Sequence, residues 1–499
     1  MADAKREIER KYESDESGLP DLTGVGGVAA VLDKGLVDLD ATYYDTADER
    51  LAAAALTLRR RTGGSDAGWH LKFPVAPGVR DEIQAPLSDT VPEEIAALVR
   101  CRVRDSALAP LVRLRSARDL RHLVDAEGTL LAEASVDTVT AERLTGTGGA
   151  AQWTEIEVEL ADGGDPDLLD RLEKRLRKAG VRPSTSPSKL ARALEETGGR
   201  AQGTGRRARP VTAGDHVLAY VREQREAILG YDPGVRRDVP DSVHQMRVAT
   251  RRMRSTFRTF GTVLDPAVTD PIAAELKWLA GELGVGRDQE VLAERLLTVL
   301  GDLPPALVSG PVRQRLTTWA STQHDSARSH VVAILDSARY LALLDTLDAL
   351  LADPPLKGAA ARTPQKVLAK AVRKDFAKVS RLVTEALDRA PGEERDVAVH
   401  EARKKAKRTR YAGEAAVPAL GRPARSLVKS MKSLTSLLGE HQDSVMARQA
   451  LRELSAVAHA AGESAFTYGL LYGREEARAA SAEAELPGLW KEITAGAPV

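Results

Sequence analysis

Glu7-Ile8-Glu9-Arg10-Lys11-Tyr12 sets two carboxylates and an ammonium at every second position, within a dozen residues of the start. Successive side chains of a β-strand point to opposite faces, so as a strand this stretch carries all three charges on one face. Such a face does not pack into an apolar core, because burying an unpaired charge is strongly unfavourable. It is either solvated or the wall of a polar cavity that holds ions.

The same period recurs downstream. Arg59 and Arg61 share parity, as do Arg80 and Glu82, Arg113 and Arg115, Glu133 and Asp137, and Glu155, Glu157 and Glu159, while Lys72 stands in the apolar run from Trp69 to Phe73. Alternation and turn residues predict strands over 7–13, 38–45, 56–62, 68–73, 80–85, 111–118, 130–140 and 152–160, with helical patterns at 91–100 and 166–179. About eight strands suggest a closed antiparallel sheet. For one strand the wet face of an open sheet is the simpler reading. Taken together, the apolar alternates Ile8, Leu58, Ile156 and Val158 can face covering helices while the charges point inward. A lumen of this kind suits a polyphosphate gripped by Arg and Lys, with a divalent metal on the carboxylates.

With 499 residues the chain exceeds one ordinary core, so two or three domains are expected. Charged residues make up 29% and cancel to a net charge of zero, so any basic surface must be local. One cysteine, Cys101, excludes an internal disulfide framework and fits a reducing compartment. No apolar run reaches the length of a membrane span, and residues 1–7 lack the apolar core of a secretory signal, so a cytoplasmic protein is expected. Residues 197–214 are Gly-rich, basic and aperiodic and read as a linker between a domain at 5–196 and another at 215–492.

From residue 215 onward the period is helical and the sequence repeats itself, giving expected copies at about 215–355 and 365–492. His244-x-x-Arg247-x-x-x-Arg251-x-x-Arg254 returns 156 residues later as His400-x-x-Arg403-x-x-x-Lys407-x-x-Arg410. Lys277 and Leu283-Gly284-Val285-Gly286-Arg287-Asp288 return as Lys432 and Leu438-Gly439-Glu440-His441-Gln442-Asp443. Two copies imply a pseudo-symmetric pair of helical bundles. Spacing of three and four places His244, Arg247, Arg251, Arg254 and Arg258 on one stripe of a helix. One such stripe is as readily a solvated face. Two matched stripes favour a surface for a repeating polyanion. Aromatic residues are only 4%, so nucleic-acid binding by base stacking is the weaker reading.

Residues 5–195 resemble a CYTH domain of the triphosphate tunnel metalloenzyme superfamily, whose Glu-x-Glu-x-Lys signature stands intact as Glu7, Glu9 and Lys11. Further matches follow in order: Arg59 and Arg61, Leu71-Lys72, Arg80 with Glu82, Arg118, Glu133 with Asp137, Glu155-Ile-Glu157-Val-Glu159, and Ser188-Lys189. The resemblance implies an eight-stranded tunnel with Mg²⁺ or Mn²⁺ on Glu7, Glu9, Glu155 and Glu157. It implies a triphosphate held by Lys11, Arg59, Arg61, Lys72, Arg118 and Lys189, and Glu7, Glu9 and Lys11 as catalytic residues. Parity alone leaves open which of Arg113, Arg115 and Arg118 faces the lumen. Residues 210–490 resemble a CHAD domain, a conserved-histidine α-helical domain, which implies two helical bundles binding inorganic polyphosphate through His244, Arg247, Arg251, Arg254, Arg258, Lys277, His400, Arg403, Lys407, Arg410 and Lys432.

The sequence thus points to a metal-dependent triphosphatase acting on inorganic triphosphate or short polyphosphate, with a second, polyphosphate-binding domain and an association with polyphosphate granules. The alternatives are a non-catalytic polyphosphate-targeting protein and, ranked lower, an adenylate cyclase, since nothing in the sequence reads as a purine pocket.

Overall fold

The computed structural model describes residues 4–14, 18–146, 148–198, 209–285, 287–321 and 324–496, with backbone alone at 287, 288, 290, 321 and 324–326. Most of the expected linker and Gly286 lie outside the described residues, as do the side chains of Arg287 and Asp288. The chain divides into two compact units, residues 1–207 and 208–499.

The first unit runs β1 (Ala4–Glu13), β2 (Ala30–Asp45), α1 (Arg50–Ala53), β3 (Thr57–Thr62), β4 (Gly68–Ala76), β5 (Val79–Ala85), α2 (Glu93–Val103), β6 (Ala109–Val124), β7 (Leu130–Arg143), β8 (Ala150–Leu160), α3 (Asp167–Lys178), β9 (Arg182–Pro183) and α4 (Lys189–Glu196). The order β5-β4-β3-β2-β6-β7-β8-β1 returns to β5, which closes an eight-stranded antiparallel barrel, and β9 adds two residues beside Tyr12 and Glu13. β1 makes the seam: Ala4 to Ile8 pair with β5, and Glu9 to Glu13 pair with β8.

Alternation sorts the side chains as the sequence suggests. On the outer face Tyr12, Ile156 and Val158 pack with Leu168, Leu172 and Leu176 of α3. Leu58, Trp69, Leu71 and Ile83 pack with Ile95, Leu98 and Val99 of α2. Each fully buried side chain of this kind is worth about 1.5–3 kcal/mol. Beneath α2 and α3 the outside of the barrel is therefore largely apolar and covered, and the alternate charges of these strands are left for the inside. One stretch of the lumen is not charged: Val139, Ala141 and Trp153, which share the parity of Asp137 and Glu155, pack with Leu190, Ala193 and Leu194 of α4. The sequence reading contains no helix here. α4 fills that part of the barrel and sets its first residue, Lys189, against the charged remainder.

Most strands run a few residues past their expected bounds, and two run much further. β2 begins at Ala30 instead of Asp38, and β6 continues to Val124 instead of Arg118. Residues 32–36 are exposed throughout, so this ribbon buries neither face of its outer part and shows no alternation to read.

The second unit is helical: α5 (Ala213–Arg236), α6 (Ser242–Thr259), α7 (Pro266–Glu282), α8 (Arg287–Gly301), α9 (Val312–Ser321), α10 (His324–Asp336), α11 (Ala338–Ala352), α12 (Pro364–Asp388), α13 (Glu393–Leu420), α14 (Arg422–Ala460) and α15 (Phe466–Ala495). A capping box starts α5: the Thr212 hydroxyl accepts from the Asp215 N–H, and the Asp215 carboxylate accepts from the Thr212 N–H. The repeated basic stripes ride on α6 and α13. The repeated Leu-Gly pair falls just after α7 in the first copy and inside the unbroken α14 in the second.

A steric role for that glycine is visible in the first copy, and in the second a Cβ would make only ordinary contact. A Cβ on Gly284 would lie 2.7 Å from Arg247 Nη2, and a Cβ on Gly439 would lie 3.5 Å from Arg403 Nη2. Arg247 and Arg403 are equivalent stripe residues. Gly284 leaves room for the Arg247 guanidinium to lie across the neighbouring helix.

Candidate functional site: a charged tunnel and a basic helical face

The barrel encloses a cavity of about 300 Å³ whose lining includes the bases Lys5, Lys11, Arg59, Arg61, Lys72, Arg80, Arg118 and Lys189. Seven acids face them: Glu7, Glu9, Asp66, Glu82, Glu133, Glu157 and Glu159. Tyr43 is the one aromatic side chain in this lining. Register explains the clustering: Lys72 pairs with Glu82, Lys11 with Glu157, and Arg118 with Asp137, each across one ladder.

Every expected tunnel base meets a carboxylate. Lys72 Nζ lies 2.5 Å from Glu7 Oε2 and 3.5 Å from Glu82 Oε1. Lys11 donates to Glu9 at 3.0 Å and also to Glu157. Arg118 makes a fork to Asp137 at 2.8 and 2.7 Å and reaches Glu157 at 2.8 Å. Arg118 is thus the inward member of its trio, whereas Arg113 and Arg115 take Asp40 on the other face. Burial pushes Glu7 up to about 7, with Lys72 opposing and Glu82 adding to the rise. Burial also opposes ionisation of Glu157, but Lys11, Lys189 and Arg118 hold it well below the usual carboxylate range.

Asp137, Glu155 and Glu157 each aim one oxygen at a common point, the three atoms lying within 4.8 Å of one another. Lys189 Nζ sits among them, 2.8 Å from Asp137, 2.8 Å from Glu155 and 2.5 Å from Glu157. An all-oxygen donor set suits a hard metal ion, so these three residues could hold one in place of the Lys189 ammonium. Glu7 and Glu9 lie outside this trio, against Lys72 and against Lys11 with Arg80.

Arg59 and Arg61 stand side by side on the inner face of β3. Burial, then the charges of Arg59 and Arg118, push Arg61 down to about 9, although Asp66 pairs with it. Neither Arg59 Nε nor Arg61 Nε finds an acceptor among the described residues. An anion placed there would supply what both lack.

The barrel also holds groups to which the sequence reading gives no role, some in the cavity lining and some buried behind it. Lys5 has the parity of Glu7 and pairs with Glu159 at 2.9 Å, so the alternation that marks Glu7 extends to it. Asp137 is fully buried between Arg118 and Lys189. Glu82 and His70 are 2% and 1% exposed and joined at 2.8 Å. His70 shares parity with Lys72.

In the helical unit the two stripes converge. Lys407 on α13 is pushed down to about 8 by burial, then by Arg403, Arg251 and Arg410, so α6 and α13 bring their charges together. Arg254, Arg258 and Lys277 line a cavity of about 570 Å³ together with Arg408 of the second copy. Arg254 is held below its usual value by burial, then by Arg258 and Arg251, and its Nε has no acceptor among the described residues. His244 is exposed at the start of α6, and His400 Nδ1 donates to Gln442 Oε1 at 2.6 Å. Lys432 is exposed on α14 and lines none of the described cavities. No helix of the described residues is long and apolar enough to cross a membrane.

The CYTH domain family matches residues 5–194 and the CHAD domain family residues 219–452. An uncharacterized protein of Mycobacterium tuberculosis (strain CDC 1551 / Oshkosh) is 40% identical over 489 residues, covering 94% of this chain and 92% of its own. Among solved structures, PptA from Streptomyces chartreusis is 23% identical with a TM-score of 0.48, covering 57% of this chain and 100% of its own. The CHAD domain from the plant Ricinus communis is 27% identical with a TM-score of 0.44, covering 56% of this chain and 92% of its own. The chain belongs to the family of proteins in which a CYTH domain is followed by a CHAD domain.

Proposed function

We propose that the barrel is a divalent-metal-dependent triphosphatase that cleaves a terminal phosphoanhydride of inorganic triphosphate or short polyphosphate, and that the helical unit binds inorganic polyphosphate. The observation that carries the first part is the pair Arg59 and Arg61, whose buried Nε–H groups lack acceptors among the described residues, in the same charged lumen as Glu157 of the carboxylate cluster. Such a lumen offers a phosphate chain its donors at one place and a cation site at another.

Asp137, Glu155 and Glu157, with Glu7 and Glu9 on the neighbouring strand, would hold Mg²⁺ or Mn²⁺. There it would supply charge stabilisation for the transferring phosphoryl group and a site to orient water. Lys11, Arg59, Arg61, Lys72, Arg118 and Lys189 exchange their carboxylate partners for phosphate oxygens, which fixes the chain and spreads its charge. Among the described residues the lining is polar apart from Tyr43, which favours inorganic chains over nucleotides.

Phosphate release from triphosphate, ATP, thiamine triphosphate and long-chain polyphosphate, each with Mg²⁺ and with Mn²⁺, tests this reading. Metal-dependent release fastest on triphosphate is expected. Tight polyphosphate binding with no release under either metal would leave a targeting protein instead, and cyclic AMP from ATP would make it a cyclase.

For the helical unit the convergence of the stripes on α6 and α13 supports one continuous polyanion surface. Gly284→Ala tests the placement of a single guanidinium on it. The added methyl displaces Arg247, the far end of a flexible side chain. Polyphosphate affinity is therefore expected to fall roughly threefold at low salt, while stability changes by less than about 1 kcal/mol. Titration of full-length protein with polyphosphate, beside thermal unfolding, reads both.

A further inference from the structure

The two copies of the helical unit differ where α6 meets α13. Arg252 and Arg408 are equivalent in the repeat, and so are Arg258 and Glu414. Arg252 Nε donates to Glu414 of the other copy at 2.9 Å, and the Tyr220 hydroxyl donates to the same carboxylate at 3.0 Å. The reciprocal contact would join Arg408 to position 258, which is an arginine and repels it. Arg408 finds its carboxylate on a third helix. Its Nε lies 3.3 Å from Asp375 Oδ2 on α12 and 3.3 Å from the Thr259 hydroxyl oxygen at the end of α6.

Asp375 is held firmly for this task. It is 3% exposed, Oδ1 accepts from Lys405 Nζ at 2.8 Å, and Oδ2 accepts from the Thr259 hydroxyl at 2.6 Å. A guanidinium only donates, so the Thr259 oxygen accepts from Arg408 and points its own hydrogen at the carboxylate. Burial opposes the charge of Asp375, but Lys405, Thr259 and Arg408 keep its carboxyl below the usual range. The consequence lies in the cavity of about 570 Å³ beside it. Among the described residues its lining holds four bases, Arg254, Arg258, Lys277 and Arg408, and one acid, Asp270. Three of these bases belong to the first copy, and Arg408 is brought to them from the second.

We propose that Asp375 is a positioning residue for polyphosphate: from α12 it holds Arg408 of the second copy beside Arg254, Arg258 and Lys277 of the first, so that this junction grips phosphate with both copies. At the equivalent junction Glu414 occupies Arg252 instead. The proposal rests on the helical unit binding inorganic polyphosphate, as argued above.

Two measurements on the full chain decide it. The first needs no ligand: the Nε–H of Arg408, assigned with Arg408→Lys, is expected to exchange with solvent slowly in the unaltered chain and fast in Asp375→Asn. Fast exchange in both would show that Asp375 does not hold the guanidinium. The second is calorimetric titration with polyphosphate at low salt. Asp375→Asn removes a negative charge from a basic face, so a carboxylate that only balanced charge would give tighter binding once removed. Loss of positioning gives the reverse, a fall of roughly threefold that disappears in an Arg408→Ala background. Thr259→Val keeps every charge and removes the hydroxyl between Asp375 and Arg408. It should weaken binding with the same dependence on Arg408, and it decides the matter if Asp375→Asn does not fold. Glu414→Gln makes the same charge change at the other junction and should bind as tightly as the parent or more so. Unchanged or tighter binding by folded Asp375→Asn, a loss that persists without Arg408, or an equal loss in Glu414→Gln would overturn the proposal. Absence of polyphosphate binding by the unaltered chain would remove the polyanion reading, and the exchange rates would still decide what holds Arg408.

Discussion

Asp137→Ala is expected to lower the stability of the barrel by about 3 kcal/mol, a fall of roughly 6–12 °C in the unfolding midpoint for a unit of this size. Asp137 has no exposed surface and accepts from both Arg118 and Lys189. Burial works against its charge, yet Lys189 and Arg118 hold its carboxyl below the usual range, so in the fold it is an anion. Truncation leaves two buried cations to share Glu155 and Glu157, and the loss exceeds what a surface ion pair contributes. The same substitution removes one oxygen donor from the cluster proposed to hold metal. Unaltered protein should therefore gain stability on addition of Mg²⁺ or Mn²⁺ in proportion to the logarithm of its concentration, and Asp137→Ala should gain much less. Calorimetric scans with and without metal check both statements. A variant as stable as the parent would show that Glu155 and Glu157 suffice for both cations, and an equal metal response would place the ion elsewhere.

The barrel is legible in the sequence because closure leaves each strand one wet interior and one covered exterior, so a period of two in charge persists from Glu7 to Glu159. The alternation disappears where that contrast is missing. The outer part of the β2 and β6 ribbon is solvated on both faces and shows no alternation. Beside α4 the lumen is apolar, so Val139, Ala141 and Trp153 carry no charge to mark them as inward, and the outward pair Arg113 and Arg115 imitates a lumen pattern while pairing with Asp40. His70 escapes for another reason. The alternation that puts Lys72 inside puts His70 there too, but an imidazole does not register as a formal charge. Lys189 follows from resemblance alone, since the eight-residue α4 is too short to announce itself by periodicity. In the helical unit the repeat reveals both stripes, but only packing shows that α6 and α13 join them.

Replacing Arg247, Arg251, Arg403 and Lys407 together by Ala should abolish salt-dependent polyphosphate binding, lowering the slope of log affinity against log salt by about 3 if each base neutralises one phosphate. The energetics at Lys407 make the stability effect opposite in sign. Burial, then Arg403, Arg251 and Arg410, push its ammonium down to about 8, and Asp443 only partly opposes them. An unfolded lysine titrates near 10.4. Below pH 8 both states are protonated and the folded chain bears the full repulsion. Between about pH 8 and 10 the unfolded chain binds more protons, so stability rises with pH across that window. Lys407→Met removes the repulsion and, after allowance for solvent screening, should stabilise the ligand-free chain by about 1–2 kcal/mol at pH 7, a gain that fades towards pH 10. Polyphosphate reverses the balance, because an anion beside Lys407 restores its proton. Binding at pH 8 to 9 should therefore take up protons, seen as an enthalpy that varies with the ionisation heat of the buffer, and Lys407→Met should lose that dependence together with affinity. A residue that weakens the fold while it waits and strengthens the complex once filled is placed for its ligand. Unchanged polyphosphate affinity in the fourfold variant would instead make the stripes ordinary solvated faces.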